Sequence, residues 1–251
     1  MKRIFLFVIA LTLAFQISAN AQNSTSWYFK RNGNLQPILD ESQEIIYKYN
    51  GFYLDRAHGD DSDDKVLYLT FDVGYENGNV EKILDALKAE NVSAAFFVLS
   101  NFVYKNTDLI LRMIDENHLV CNHTSKHLNI AEASSEKSVE SIKRLEEVFK
   151  EKTGEQIAPF FRFPEGKYNE ESLKLVDELG YKSVFWSLAY ADWDDCKQQI
   201  PEKAMKLLLD NTHNGAIVLL HPTSSTNAEI LPQLLKAWKN MGYRFGTLSE
   251  I

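Results

Sequence analysis

The sequence predicts an α/β fold, a distorted (β/α)7 barrel of parallel strands, on three observations. Short β-rich apolar runs alternate with amphipathic segments at helical spacing. That alternation continues without a repeat or low-complexity tract from residue 65 to the C-terminus. Ionisable side chains stand at the C-terminal ends of five of the runs. Strict strand–helix alternation implies parallel strands joined by right-handed crossovers. In parallel folds the C-terminal strand ends converge on one face and build the site.

The chain begins with a targeting pattern. Lys2 and Arg3 form a basic n-region, residues 4–15 an apolar h-region, and Ala19-Asn20-Ala21 a small-residue cleavage site. Twelve residues fall short of the ~20 a spanning helix needs. A cleaved leader over 1–21 is therefore expected, with no stable membrane insertion afterwards. The expected location is secreted, in the cell wall. No Cys lies beside the cleavage site, so a lipid anchor is not indicated.

Residues 22–64 read as an arm. It carries Trp27, Tyr28 and Phe29, a predicted helix over 40–49, and a polar, turn-rich boundary at 58–64. The domain proper is expected over 65–251. Its predicted strands lie at 66–71, 92–98, 119–121, 159–163, 183–187, 216–220 and 243–248. A helix over 134–153 has Val139, Ile142, Leu145 and Phe149 on one face, Ser134 or Ser135 as cap and Gly154 as stop. A second runs over 169–179 and ends at Gly180. Pro201 can open a third. Seven strands fit a distorted barrel better than an open sheet.

The 251 residues are 45% hydrophobic, a globular value, and carry a net charge of −8. An acidic chain repels phosphate backbones, so nucleic acid is excluded as a partner. Of the two cysteines, Cys121 sits in an apolar run and reads as a buried small hydrophobe. No disulfide is expected between it and Cys196.

The polar residues share one address. Asp72 follows the first strand, His123 and His127 the third, Arg162 ends the fourth, Asp192 lies beyond the fifth, and His221 follows the sixth. Five strands would rarely place ionisable groups there by chance. His123 and His127 are four apart, so on a helical turn they would point the same way. Two imidazoles on one face suit Zn²⁺ or another divalent transition ion. A satisfied or solvent-facing pair would show the same spacing; the strand-end position favours the metal. Asp72 needs a partner if buried, and Arg162 is the obvious one. That pairing serves a structural ion pair as well as a catalytic carboxylate. Gly74 would permit close backbone approach. His221 reads either as a core histidine or as a general acid whose ring Asp192 orients. Trp193 would then wall the site, though Trp186 and Trp193 also suit a core. His58, His118 and His213 sit in polar, turn-like sequence and are expected at the surface.

Taken together, Thr70-Phe71-Asp72-Val73-Gly74, His123-Thr124-Ser125-Lys126-His127, Arg162-Phe163-Pro164-Glu165-Gly166, Asp192-Trp193 and Leu219-Leu220-His221 resemble the five ordered motifs of polysaccharide deacetylases. This is the NodB-homology, or carbohydrate esterase 4, family. Tyr75-Glu76-Asn77-Gly78, Val184-Phe185-Trp186-Ser187 and Trp27-Tyr28-Phe29-Lys30 are similar to the peptidoglycan N-acetylmuramic acid deacetylases of spore formers, which make muramic δ-lactam in the spore cortex. The resemblance implies Asp72 as general base, His123 and His127 as metal ligands, Arg162 as tether of Asp72, and Asp192 as positioner of the general acid His221. It implies the Glu165 backbone N–H as an oxyanion donor. Gly74, Tyr75, Pro164, Glu165, Gly166, Trp193 and Leu219 would line the glycan site, and peptidoglycan strands would be the partner. Two positions depart from the pattern. Val73 stands where the family has a carboxylate ligand, which implies a weakly bound divalent ion completed by substrate. Glu165 stands where an aromatic or basic residue is usual. Two other readings follow from the same residues: a deacetylase of chitin oligomers or N-acetylglucosamine, and a wall-binding module without catalysis.

Overall fold

A computed structural model describes residues 24–251. The expected leader lies outside the described residues. β1 (Thr25–Ser26) pairs antiparallel with β6 (Lys167–Tyr168) as a small ribbon. The main sheet comprises β2 (Val66–Val73), β3 (Ala95–Val98), β4 (Leu119–Asn122), β5 (Ala158–Phe161), β7 (Lys182–Ser183), β8 (Leu188–Ala189) and β9 (Ala216–Leu220). Their order is β7-β5-β4-β3-β2-β9-β8, and every pair is parallel. β10 (Arg244–Phe245) adds in parallel beside the start of β2. Seven strands thus form a curled half-barrel, the distorted (β/α)7 arrangement expected.

Both faces of β2 are buried, which explains its unbroken apolar run. Leu67, Leu69, Phe71 and Val73 belong to the outer core with Ile83 and Leu87 of α2 (Val80–Ala89) and Leu231 and Trp238 of α8 (Ser225–Asn240). Val66 and Tyr68, of opposite parity, join Phe97, Cys121 and Ile217 in the barrel interior. Asp72 shares that inward parity, so the alternation of the strand aims it into the barrel mouth. Cys121 is buried and Cys196 exposed, both free.

The helix signals were accurate where caps marked them. α5 (Ser135–Thr153) has Ser134 accepting from the Lys137 N–H and ends at Gly154 with φ 80°. α6 (Glu170–Glu178) starts on an Asn169 capping box, and α7 (Pro201–Asp210) starts on its proline. The strand expected at 243–248 is only the two residues of β10, that expected at 92–98 begins at Ala95, and two further elements differ more. The run 183–187 lies mostly between strands, with only Ser183 in β7 and β8 starting after it, and within it Phe185 packs between Phe163 and Trp27, at ring separations of 5.6 and 4.5 Å. The predicted helix at 40–49 is a 3-10 turn, Glu41–Gln43, followed by the single turn α1 (Ile45–Lys48).

Residues of the arm complete the sheet. The Phe52 N–H donates to the Ser183 carbonyl at 2.9 Å and the Phe52 carbonyl accepts from Phe185 at 2.8 Å. The Asp55 N–H donates to the Gly215 carbonyl at 2.8 Å. This segment therefore spans the gap between β7 and the start of β9, where β8 does not reach. It satisfies backbone groups that an open barrel would leave unpaired.

Candidate active site

A cavity of about 740 Å³ opens at the C-terminal end of the half-barrel. Asp72, His123, His127 and His221 all border it, as do Gly74, Tyr75, Glu165, Gly166, Trp193 and Leu219. Arg162 and Asp192 stand directly behind and are almost wholly buried. Pro164 is buried and does not line the cavity.

Arg162 is a buried cation with all its nitrogens engaged. Its Nη1 donates to Asp72 Oδ1 at 2.9 Å, its Nε to the Val184 carbonyl at 3.0 Å and its Nη2 to the Phe185 carbonyl at 3.4 Å. Its guanidinium lies 4.1 Å over the Phe97 ring. Such saturation is what makes a buried charge tolerable. Burial disfavours the charge on Asp72, but Arg162, with His123 and His221, outweighs it and holds the carboxyl below its ordinary value.

His221 faces Asp72 across the cavity. Its Nδ1 lies 2.7 Å from Asp192 Oδ1, and its backbone N–H donates to Asp192 Oδ2 at 2.8 Å. Asn227 on α8 adds a third donor to that carboxylate, at 2.6 Å. Burial alone would lower the pKa of His221; the attraction and hydrogen bond of Asp192 and the charge of Asp72 more than offset it, and the imidazole is raised. Trp193 lies edge-on to this ring with centroids 6.2 Å apart. The site therefore sets an ionised carboxylate against an imidazole that binds its proton more tightly than a free one. Together these can remove one proton and deliver another in a single cavity.

The two remaining histidines meet, but not on a helix. They sit in a loop after β4, with Thr124 at φ 69° and His127 at φ 58°. The Ser125 N–H donates to the Ser141 carbonyl at 3.1 Å, which pins the loop to α5. The ring centroids come to 4.9 Å. His123 Nδ1–H donates to the Arg162 carbonyl at 2.9 Å, leaving the Nε2 lone pair turned to the side where Asp72 Oδ2 lies at 3.6 Å. Burial lowers the His123 pKa to about 4, so its ring is neutral near pH 7. A neutral imidazole with a fixed tautomer fits a transition-metal ligand. No group of three His, Cys, Asp or Glu side chains is poised as a complete metal shell among the described residues. Val73 is fully buried and borders the cavity at the end of β2, and it adds no donor. The donor set fits a divalent ion that water or substrate oxygens complete.

Several expectations need correction. His118 and His213 are buried, not surface residues. His118 Nδ1 accepts from the Ala94 N–H at 3.1 Å, and burial lowers its pKa to about 4. His213 bridges the Asn211 carbonyl and the Ser187 hydroxyl. Polar neighbours in sequence concealed these burials. Gly74 borders the cavity, yet a Cβ there would meet only Leu99 at 3.5 Å, an ordinary contact, so the protein's own packing does not demand glycine.

Gly166, which also borders the cavity, is constrained by packing. It follows Glu165, and both are left-handed, with φ 64° and 57°. A Cβ on Gly166 would lie 2.9 Å from both Trp27 and Trp186. Trp27, Trp186 and Tyr190 border the cavity and were not singled out as site residues. Trp27 comes from the arm: its N–H donates to the Gly166 carbonyl at 2.8 Å and its indole N–H to the Trp186 carbonyl at 2.9 Å. The arm thus helps to build the turn that carries Glu165 and to wall the cavity.

This geometry agrees with comparisons to known proteins. The family model for polysaccharide deacetylase matches residues 59–184. The chain belongs to the polysaccharide deacetylase family. It is 36% identical over 240 residues to the peptidoglycan N-acetylmuramic acid deacetylase PdaA of Bacillus subtilis, covering 95% of this chain and 89% of that protein. It is 38% identical to an uncharacterized 30.6 kDa protein of Geobacillus stearothermophilus, covering 93% and 87%. The solved structure of Bacillus subtilis PdaA, a family 4 carbohydrate esterase, superposes with a TM-score of 0.85 at 35% identity, covering 91% of this chain and 97% of that one. The protein is accordingly a hydrolase of the polysaccharide deacetylase class. The five motif segments quoted from the sequence all contribute residues to, or directly behind, the one cavity.

Proposed function

We propose that the protein removes the N-acetyl group from N-acetylmuramic acid in peptidoglycan, the step that leads to muramic δ-lactam in the spore cortex. The observation that carries the reading is the pairing of Asp72 and His221 across one cavity, each tuned by its own buried partner. The similarity to PdaA over nearly the whole chain supports the muramic substrate. A secreted, wall-located enzyme fits this substrate. Among the described residues no helix is long and apolar enough to cross a membrane.

In this reading His123 and His127 hold a divalent ion, with Zn²⁺ the expected one. When bound, that ion would polarise the acetyl carbonyl. Asp72 accepts a proton from water as the water oxygen bonds to the amide carbon. The Glu165 backbone N–H donates to the developing oxyanion. His221 gives its proton to the amine as the carbon–nitrogen bond breaks, which matters because an amine leaves poorly without one. Arg162 keeps Asp72 ionised, and Asp192 keeps the His221 ring oriented and protonated. Tyr75, Trp193, Leu219, Glu165 and Gly166 shape the sugar site. Residues 65–251 form the catalytic domain, and the arm closes its sheet through Phe52 and Asp55.

Acetate release tests the substrate. Peptidoglycan carrying peptide-free muramic acid is expected to yield acetate, with chelator abolishing release and added Zn²⁺ restoring it. Chitin oligomers are expected to react far more slowly. Equal or faster release from chitin oligomers would transfer the assignment to another acetylated glycan.

A further inference from the structure

The loop that carries the two histidines has a second side. His123 and His127 border the catalytic cavity, whereas Ser125 and Lys126 border a separate cleft of about 500 Å³. Leu99 borders both, so the two adjoin there. The cleft takes Lys105 and Tyr104 from α3 (Ser100–Lys105) and Arg144 from α5. Three cationic side chains line it, and no carboxylate does. In a chain with 35 acidic and 27 basic residues this is a local reversal of sign. Lys105 and Lys126 are exposed and make no ion pair among the described residues, and Arg144 pairs only with exposed Glu147, at 3.1 Å. The Ser100 hydroxyl on the same wall is buried and has no hydrogen-bond partner among the described residues.

The cleft is rigidly connected to the reacting end. The Ser100 N–H donates to the Ser125 carbonyl at 3.2 Å, and Asn101 Nδ2 donates to the Gly74 carbonyl at 2.9 Å. The cleft and the catalytic cavity therefore adjoin at Leu99 and share the histidine loop, which places the cleft beside the reacting end. We propose that this cleft is an anion subsite that takes the lactyl carboxylate of the neighbouring peptide-free muramic residue, two sugars along the strand from the reacting one. The inference rests on the peptidoglycan reading above. Exposed cations supply orientation and modest affinity rather than chemistry. The subsite would therefore select strands that bear free carboxylates, and neutral acetylated glycans would gain nothing from it.

The test uses the full mature protein and three strands: peptide-free peptidoglycan, the same strand with its carboxyls reduced to alcohols, and strand still bearing stem peptides. Lys105→Gln and Lys126→Gln are each expected to raise KM on the peptide-free strand roughly threefold, and together about tenfold, with kcat within about twofold. The effect should shrink in high salt. Lys105→Gln lies outside the histidine loop, so its effect cannot come from disturbing His123 or His127. On the carboxyl-reduced strand wild type and variants should share one raised KM. Unchanged KM in the double variant, or an equal rise on the reduced strand, would overturn the subsite. A larger effect on peptide-bearing strands would also overturn it, since the anion bound would then be the peptide's. If wild type releases no acetate from any strand, the reading of the reaction fails by itself. Calorimetric binding of the peptide-free and reduced strands to wild type and to the double variant then still decides the cleft.

Discussion

Each end of the barrel holds an aspartate–histidine pair. At the open end Asp192 Oδ1 lies 2.7 Å from His221 Nδ1, and at the closed end Asp55 Oδ2 lies 2.6 Å from His58 Nδ1. Both aspartates are buried. The difference lies in what surrounds the ring. The second nitrogen of His58 faces Asp64 at 3.0 Å, and Asp64 is itself held by Arg244. Asp55 also accepts from the Tyr68 hydroxyl at 2.6 Å and the Ala57 N–H at 2.8 Å. Every polar edge there is committed within the protein, and the network fastens the arm to the barrel floor. His221 instead borders a cavity, with an ionised carboxylate facing it. The pair alone does not make a site; a free edge opposite a complementary group does.

Breaking each end separately should expose that contrast. Asp72→Asn is expected to have the largest effect, a fall in kcat of about 10³-fold or more, read as acetate release per folded protein. His221→Gln should cost about 10²-fold, because the amine would leave unassisted. Wild-type kcat/KM should follow a bell. Its acid limb, from protonation of Asp72, should lie below the ordinary carboxylate pKa of ~4, and its alkaline limb, from loss of the His221 proton, above the ordinary ~6.5. Asp192→Asn removes the charge that raises His221, so the alkaline limb should move to lower pH and kcat should drop about tenfold. An alkaline limb that stayed in place would disconnect His221 from the acid role.

Val73→Asp sharpens the metal side of the comparison. Val73 packs with the outer core but also borders the cavity at the end of β2, so a carboxylate introduced there is expected to tighten Zn²⁺ binding about tenfold or more in calorimetry. Unchanged affinity would mean that position 73 points away from the ion. At the closed end, Asp55→Asn should cost about 2–3 kcal/mol of stability and leave kcat/KM within about twofold. Burial raises the Asp55 pKa, but Tyr68, His58 and the Ala57 N–H together lower it. A depressed folded pKa adds stability that is present above the unfolded value of ~3.9 and is lost as pH falls through the folded value. The variant's unfolding midpoint should therefore depend less on pH in that acidic window than the wild type's.

The two ends were not equally legible. Asp72, Arg162, Asp192 and His221 could be read as a set because strand ends in a parallel fold converge, and strand periodicity is a local signal. Ser134, Gly154 and Pro201 likewise marked helix limits through local capping chemistry. Trp27 and Asn227 gave no such signal. One acts from the arm, 139 residues from the turn it contacts, the other from the first turn of α8, 35 residues from the Asp192 carboxylate it bonds. The helical reading of His123 and His127 failed because spacing cannot distinguish one helical turn from a loop bent by left-handed Thr124 and His127. His118 and His213 failed because burial is set by elements packed from elsewhere in the chain.

The most direct measurement is acetate release from peptide-free peptidoglycan by wild type, Asp72→Asn and Asp55→Asn, side by side below their unfolding midpoints. Release by wild type and Asp55→Asn, with none above background from Asp72→Asn, is expected. Wild-type rates from Asp72→Asn, or loss of rate in Asp55→Asn while it remains folded, would contradict the assignment of the chemistry to the open end of the barrel.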